Sequence, residues 1–392
     1  MRRAKKIRLK PTPEQETLFW KSAKTARWAY NYFLSENERV YKEYLENGQN
    51  GMKYRSGTEI RKYINNTLKK TTHLWLSEVG SNVMKQSVKT AEKAYQDWLS
   101  GKRGKPHYKS KHKSKISFYV NYESLTRKNG GFHGEKIGFV KTAEPLPKLP
   151  KGENYANPYL SYDGKYWYLS VGYSIEPVET PLSGNSLGID LGIKDLAVCS
   201  NGKVYPNIHK SVRMRKLSKR LQRQERNLSR KIEHKISGYH KNRKPIYKKP
   251  LKECANIQKQ IAKIRLIYKQ IRDVRQNYLH QTTNEIVKTK PSRIVMETLN
   301  IKGMRKNRHL SKAISEQCFY EFKRQIQYKS EYYGIEFVKV PPFYPSSKTC
   351  SHCGGIKNDL KLSDRIYKCR KCGLVIDRDF NASLNLATYP SA

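Results

Sequence analysis

Residues 186–206 read SLGIDLGIKDLAVCSNGKVYP. Successive side chains of a strand point to opposite sides, so Leu187, Ile189 and Leu191 share one face while Gly188, Asp190 and Gly192 share the other. An acid flanked by glycines on its own face has room around it, enough for metal ions and a phosphate to approach the backbone. LAVC and KVY, joined by SNG, predict the next two antiparallel strands.

Downstream, PSRIVMETLN is the continuous apolar run of a buried strand ending in Glu297. A long helix is expected next, then a further buried strand, IEFVKV, from Ile335. LVIDRD brings the chain back, with Asp377 and Asp379 two apart in an extended stretch and thus on one side, before NASLNLA starts a helix. Alternating β and α elements of this kind predict an α/β domain.

Between IEFVKV and LVIDRD lie Cys350-x2-Cys353, fifteen residues, and Cys369-x2-Cys372, each pair followed by glycine. Four thiolates at this spacing close a tetrahedral shell with no open position, so one structural zinc ion is expected. His352 is a conceivable ligand, but the cysteines already fill the shell. Cys199, Cys254 and Cys318 are isolated and read as core or incidental. Paired CxxC motifs suit a metal in a reducing compartment better than disulfides.

The 392 residues carry 79 Lys and Arg against 33 Asp and Glu, a net charge of 79 − 33 = +46. Such a charge repels the compact state unless a polyanion neutralises it, which points to nucleic acid and to binding that weakens steeply with salt. The 28 tyrosines suit stacking on unpaired bases. No stretch approaches the roughly 20 apolar residues of a membrane span, and the basic first residues lack the apolar run of a signal peptide, so an intracellular protein is expected.

Upstream, RAKKIRLK reads as a strand, and TPEQ as a helix start with Thr12 as cap, Pro13 first and Gln15 closing a capping box. Met84, Val88, Ala91, Tyr95 and Trp98 mark an amphipathic helix over about 81–100. GKRGKPHYKSKHKSK then reads as a phosphate-tracking loop with Tyr108, His107 and His112 interleaved, or as a plain solvated linker. From Ile116 to about Val178 the period is two, which predicts a small β-barrel into which the helices are inserted.

Residues 210–290 predict an antiparallel helical pair. Its stripes are Met214, Leu217, Leu221, Leu228 and Ile232, facing Ile257, Ile261, Ile264, Tyr268, Ile271 and Tyr278. Sixteen Lys or Arg and two acids between Lys210 and Lys249 place one face along nucleic acid.

Taken singly, Asp190 also suits a turn, Glu297 an exposed strand end, and Asp377 or Asp379 a helix N-cap. Together they suggest more. A like-charged pair about 4 Å apart costs about 4 kcal/mol at an effective dielectric near ~20, which favours protonation unless cations bind. Two Mg²⁺ ions would relieve that cost and support phosphodiester cleavage.

GIDLGIKDLAV, METLNIKGMRKNRHLSKAISEQCFYEF, PPFYPSSKTCSHCG and CGLVIDRDFNASLNLA resemble the TnpB (OrfB) proteins of insertion sequences, relatives of type V CRISPR effectors. KIRLKPTPEQ and LSEVGSNVMKQSVKTAEKAY extend the resemblance over nearly the whole chain. It implies a wedge-like β-barrel (1–10 and 112–180) with an inserted helical recognition domain (11–111). A RuvC-like RNase H nuclease domain (181–345 and 375–392) follows, holding a zinc ribbon (346–374). It also implies a monomeric RNA-guided DNA endonuclease of the prokaryotic cytoplasm, associated with the nucleoid. Its partners would be a guide RNA from the transposon end and double-stranded target DNA beside a short flanking motif. The family's metal-binding acid triad falls on Asp190, Glu297 and Asp379, with Asp377 as the alternate. Tyr54, Asn82 and Lys85, in helical segments resembling those that read the flanking motif, are implied DNA contacts. RKIEHKISGYHKNRKPIYKK is extra material relative to the family.

Overall fold

The computed structural model describes all residues except 112, 113, 362, 391 and 392, so His112 and the expected domain limits at 112 and 392 lie outside the described residues. The chain forms two compact units, Met1–Ile175 and Glu176–Ala392. No helix among the described residues is long and apolar enough to cross a membrane.

In the first unit the elements are β1 (Arg2–Lys10), α1 (Pro13–Glu46), α2 (Gly57–Tyr63), α3 (Ser81–Leu99), β2 (Ile116–Tyr119), β3 (Thr126–Lys128), β4 (Gly131–Gly134), β5 (Gly138–Thr142), β6 (Ala156–Tyr162) and β7 (Trp167–Ser174). They build one seven-stranded sheet, ordered β2-β6-β7-β1-β5-β4-β3. β1 runs between β7 and β5, so the helices are indeed inserted after the sheet's central strand. β2 and β3 stand at opposite ends of the hydrogen-bonded order, an open sheet where a closed barrel was expected.

The expected capping box forms: Gln15 N donates to Thr12 Oγ1 at 3.3 Å and Thr12 N to Gln15 Oε1 at 3.1 Å. Beyond it α1 serves two cores. Phe19, Ala23 and Ala26 pack with Ile7, Leu160 and Trp167 of the sheet. A few turns on, Ala29, Phe33 and Leu34 pack with Val88, Ala91 and Tyr95 of α3. The basic loop after α3 is laid against α1. Asn31 exchanges two hydrogen bonds with the Lys109 backbone at 2.8 and 2.9 Å, and Tyr108 donates to Glu38 at 2.6 Å. Tyr108, although exposed, is therefore tied by its hydroxyl to α1.

The second unit contains β8 (Ser183–Leu191), β9 (Asp195–Cys199), β10 (Val204–Pro206), α4 (Val212–Glu233), β11 (Ile236–Tyr239), β12 (Pro245–Tyr247), α5 (Ala255–Lys288), β13 (Pro291–Glu297), α6 (Ile301–Met304), α7 (Arg308–Gln317), α8 (Phe319–Tyr333), β14 (Glu336–Val340), β15 (Ile366–Lys368), β16 (Val375–Asp377) and α9 (Arg378–Ala387). A five-stranded sheet is ordered β10-β9-β8-β13-β14. Its first three strands form an antiparallel meander, and β13 and β14 run parallel to β8.

The long helix expected before β14 is α8, preceded by the shorter α6 and α7; Cys318, with a φ of 55°, ends α7 and starts α8. Two expectations are corrected here. The pair over 210–290 carries a β-hairpin, β11–β12, at its tip: ISGY and PIYK alternate too briefly and too polarly to stand out from a basic helix. Tyr268 is not in the stripe of α5. It is 52 % exposed, with its hydroxyl donated to Glu225, and Ile267 and Gln260 occupy the buried face. Gln260 reaches the Gln224 carbonyl of α4 at 2.9 Å, a polar contact that an apolar pattern does not reveal.

Candidate active site and metal centre

Asp190 and Glu297 meet through strand register. In β8 and β13, Gly188 pairs with Val295 and Ile189 with Met296, so the next residue of each strand, Asp190 and Glu297, emerges side by side at the ends of the parallel pair. Ile189 and Met296 point into the main core, whereas Val295 packs with Leu386 of α9. Period two then puts both acids on the α9 side of the sheet.

The same side explains Gly188. A Cβ there would stand 2.0 Å from the Ser383 carbonyl oxygen and 2.4 Å from the Ala387 nitrogen, both backbone atoms of α9. The clearance expected to admit metal ions and phosphate beside Asp190 is, at Gly188, filled by this helix. Gly192 serves the turn into β9, where a Cβ would lie 3.1 Å from the Asp195 carbonyl oxygen.

α9 carries the third acid. The structure corrects the shared extended face of Asp377 and Asp379: β16 ends at Asp377 and the helix begins at Arg378. Asp377 is the N-cap, its carboxylate accepting from the backbone N–H of Asp379 at 2.9 Å and of Phe380 at 3.0 Å, where it also faces the positive end of the helix. Asp379, in the first turn, lies 3.4 Å from Arg378 and 3.8 Å from Arg365.

These groups feel one another. Burial, then Glu297 and Asp379, hold the Asp190 carboxyl well above the usual carboxylate range, with Asp377 contributing least. Burial pushes Glu297 up to about 7, opposed by the Leu191 backbone and Lys323. Carboxylate oxygens suit a hard divalent cation such as Mg²⁺, although among the described residues the only group with three or more possible ligand atoms within 4.8 Å of one another is that of the four cysteines.

A pH dependence follows. The folded protein holds the Glu297 proton up to about pH 7, while an unfolded chain releases it near the ordinary value of 4.5. The folded state therefore binds more protons across this window, and its stability falls as pH rises from about 4.5 to 7. In metal-free protein at pH 8, Glu297→Gln is expected to raise stability by on the order of 2 kcal/mol and to flatten that part of the profile. Denaturant melts of both proteins with and without Mg²⁺ check this; Mg²⁺ should stabilise the wild type more.

The four cysteine sulfurs all lie within 4.8 Å of one another, the arrangement a zinc ion requires. Gly354 and Gly373 take φ of +72° and +73°, so that Gly354 N donates to the Cys350 carbonyl and Gly373 N to that of Cys369. Hydrogen bonds from the Cys372 and Lys371 backbone hold the Cys369 thiol down to about 6, while burial and the crowded sulfurs push Cys372 up to about 12. His352 is exposed and outside the cluster.

Two residues that sequence reasoning passed over join this knuckle to α9. Asn381, buried, accepts from Ser351 N at 3.0 Å and donates to the Thr349 carbonyl at 2.7 Å; Asn385 donates to the Ser346 and Thr349 carbonyls, each at 2.7 Å. Their i, i+4 spacing in NASLN was the available signal. Cys369→Ser, or chelation, should unfold the segment around the cysteines and loosen α9 with it. The expected signs are loss of bound zinc and rapid proteolysis between Cys350 and Cys372.

The implied DNA contacts are placed differently from one another. Tyr54 is in the loop before α2 and not in a helix; its ring stacks on Tyr95 and its hydroxyl lies 3.1 Å from Glu92. Asn82 and Lys85 lie in the first turns of α3, Asn82 at 3.5 Å from Glu135 and Lys85 exposed.

Comparison with known proteins agrees with this architecture. Family models described as "Probable transposase" and "Cas12f1-like, TNB domain" match residues 170–308 and 319–386. One described as "Helix-turn-helix domain" matches residues 1–46, which here are a strand and one unbroken helix. A protein of Streptomyces pristinaespiralis described as "Putative RNA-guided DNA endonuclease" is 30% identical over 98% of this chain and 89% of its own. InsQ of Escherichia coli, similarly described, is 26% identical over 97% and 90%. Cas12f1, solved with guide RNA and target DNA, shares the fold with a TM-score of 0.54 at 16% identity over 99% of both chains. The end-to-end likeness at 30% identity, with the family models on both halves of the second unit, makes this chain a member of the TnpB (OrfB) family of insertion-sequence proteins.

Proposed function

We propose that the protein is an RNA-guided DNA endonuclease of a transposable element. It would cut target DNA beside a short flanking motif, using a guide RNA from the element's own end. The observation that carries this reading is the approach of Asp190, Glu297 and Asp379, from two neighbouring strand ends and the helix packed across them. A meander followed by two parallel strands, with acids at the ends of the first and fourth strands, supports a RuvC-like RNase H nuclease domain. The family relationship and the charge of +46 support nucleic-acid partners.

Asp190, Glu297 and Asp379 would hold two Mg²⁺ ions. Bound there, the ions would supply activation of water and stabilisation of the leaving oxygen. The chain's own contribution is placement. Strand register fixes Asp190 against Glu297, and Arg378 and Arg365 hold Asp379. The Asp377 cap keeps the first turn of α9 from fraying. The cysteines would hold one structural zinc ion, which together with Asn381 and Asn385 anchors α9 from outside.

Sequence recognition would rest with base pairing, and the protein would read the flanking motif and duplex shape. Lys85 remains available for that contact and Asn82 lies one turn earlier; Tyr54 supports the helical core around them. A monomer suffices for one acid cluster.

The test is direct. The protein purified with its RNA, given matched double-stranded DNA and Mg²⁺, should cleave it, and sequencing of the copurified RNA should return the element's end. Binding of matched DNA without cleavage would instead make the protein an RNA-guided repressor, and strand-transfer products formed without RNA would make it a transposase.

A further inference from the structure

Round the strand end from Asp190, on the side of α8, lies a cavity of about 350 Å³ that borders the acids. Glu297 and Leu191 form one wall, and Tyr320, Lys323, Arg324 and Lys339 form much of the rest. Arg324 is spoken for: its two nitrogens reach the two Glu321 oxygens at 2.8 Å each. The lysines are different. Lys323 makes a long hydrogen bond of 3.5 Å to the Thr298 hydroxyl; burial and then Lys339, on β14, disfavour its charge, and Glu297 favours it. Tyr320 is 73 % exposed at the rim, although Phe319 beside it is buried.

Two cations lining one cavity, offset only in part by Glu297, with an exposed ring at the rim make a receptor suited to a nucleotide. A phosphate satisfies both ammonium groups, and a base covers the ring. The volume is at the small end of ligand clefts, on the scale of one nucleotide. From this we propose that the cavity seats one unpaired nucleotide of the DNA strand being cut, adjacent to the scissile bond, with Lys323 and Lys339 on its phosphate and Tyr320 against its base. The proposal rests on the nuclease reading above and names the strand-holding subsite of that same centre. By presenting the neighbouring phosphodiester to Glu297, the cavity would align the strand with the acid cluster. It also gives a physical preference for single-stranded substrate at the cut.

Affinity is a weak readout, because a chain of charge +46 holds DNA through many other contacts. The informative measurements are positional and kinetic. In single-turnover cleavage at saturating enzyme, the double variant Lys323→Gln/Lys339→Gln is expected to slow cutting 10- to 100-fold and Tyr320→Ala about 10-fold. Thermal melting and target binding should be unchanged. Rates equal to wild type would overturn the proposal. Independently, a short 5′-phosphorylated single-stranded oligonucleotide bearing 4-thiothymidine, irradiated with the protein in Ca²⁺, should form an adduct on Tyr320 that the double lysine variant loses. Absence of any adduct on α8 would also overturn it. If the wild type fails to cut at all, the nuclease reading falls, while the adduct still decides whether the cavity takes a nucleotide.

Discussion

Gly188→Ala should abolish DNA cutting although it touches no acid. The added methyl would meet two backbone atoms of α9, at 2.0 and 2.4 Å, and backbone cannot swing aside as a side-chain tip can. Either β8 or α9 must move. Because Asp190 lies two residues along β8 and Asp379 four residues before Ser383 on α9, any displacement separates the acids. Overpacking of this severity costs about 3 kcal/mol, so the second unit should melt on the order of 10 °C lower and cleavage should fall at least about 100-fold. Gly184→Ala, on the same strand where an added Cβ meets nothing within 4 Å, should behave as wild type and serves as the control. Normal melting and cutting by Gly188→Ala would mean that α9 does not pack on β8 as described, and the assignment of Asp379 would go with it.

Asp190→Ala separates chemistry from binding. The carboxyl of Asp190 is the one pressed by both Glu297 and Asp379, so its removal takes the shared oxygen donor out of the cluster. Cleavage should drop on the order of 10³-fold or more, since the charge developing in the reaction loses its preorganised support. Binding should survive with an unchanged salt dependence, because one acid fewer leaves the large positive charge almost as it was. Metal-free protein should become more stable at neutral pH as well, since the fold no longer encloses a carboxyl that burial and two like charges disfavour. The readouts are a cleavage time course, filter binding over a salt series, and thermal melting without metal. Substantial cutting by this variant would place the reaction elsewhere in the molecule.

Much of the candidate site was legible in the linear order. GID at a strand's end, MET closing an apolar run and paired CxxC motifs each carry their own local signal, of alternation or spacing, and each appeared where that signal put it, whereas DRD, expected to be extended, straddles the end of β16 and the start of α9. Local signals failed where a partner element decides. The α5 stripe took in Tyr268 on period alone, whereas burial depends on what α4 offers opposite, and α4 offers a glutamine for Gln260 and a glutamate for the Tyr268 hydroxyl. Tyr54, expected in a helical segment, stands in the loop before α2, half-buried against Tyr95. Lys323 and Lys339 lie in different elements and drew no notice until α8 and β14 brought them to one cavity beside Glu297.

The sequence by itself determined most of the elements and the four-cysteine cluster, because propensity and donor chemistry are carried by residues and their near neighbours. Only the tertiary structure showed how Asp377 and Asp379 differ in setting: β16 ends at Asp377, which caps α9, while Asp379 lies in the helix's first turn and acts more strongly on Asp190. It decided also what the glycine beside Asp190 is for. A missing side chain leaves space in any strand, and only the element packed above it, here the backbone of α9, shows what fills that space.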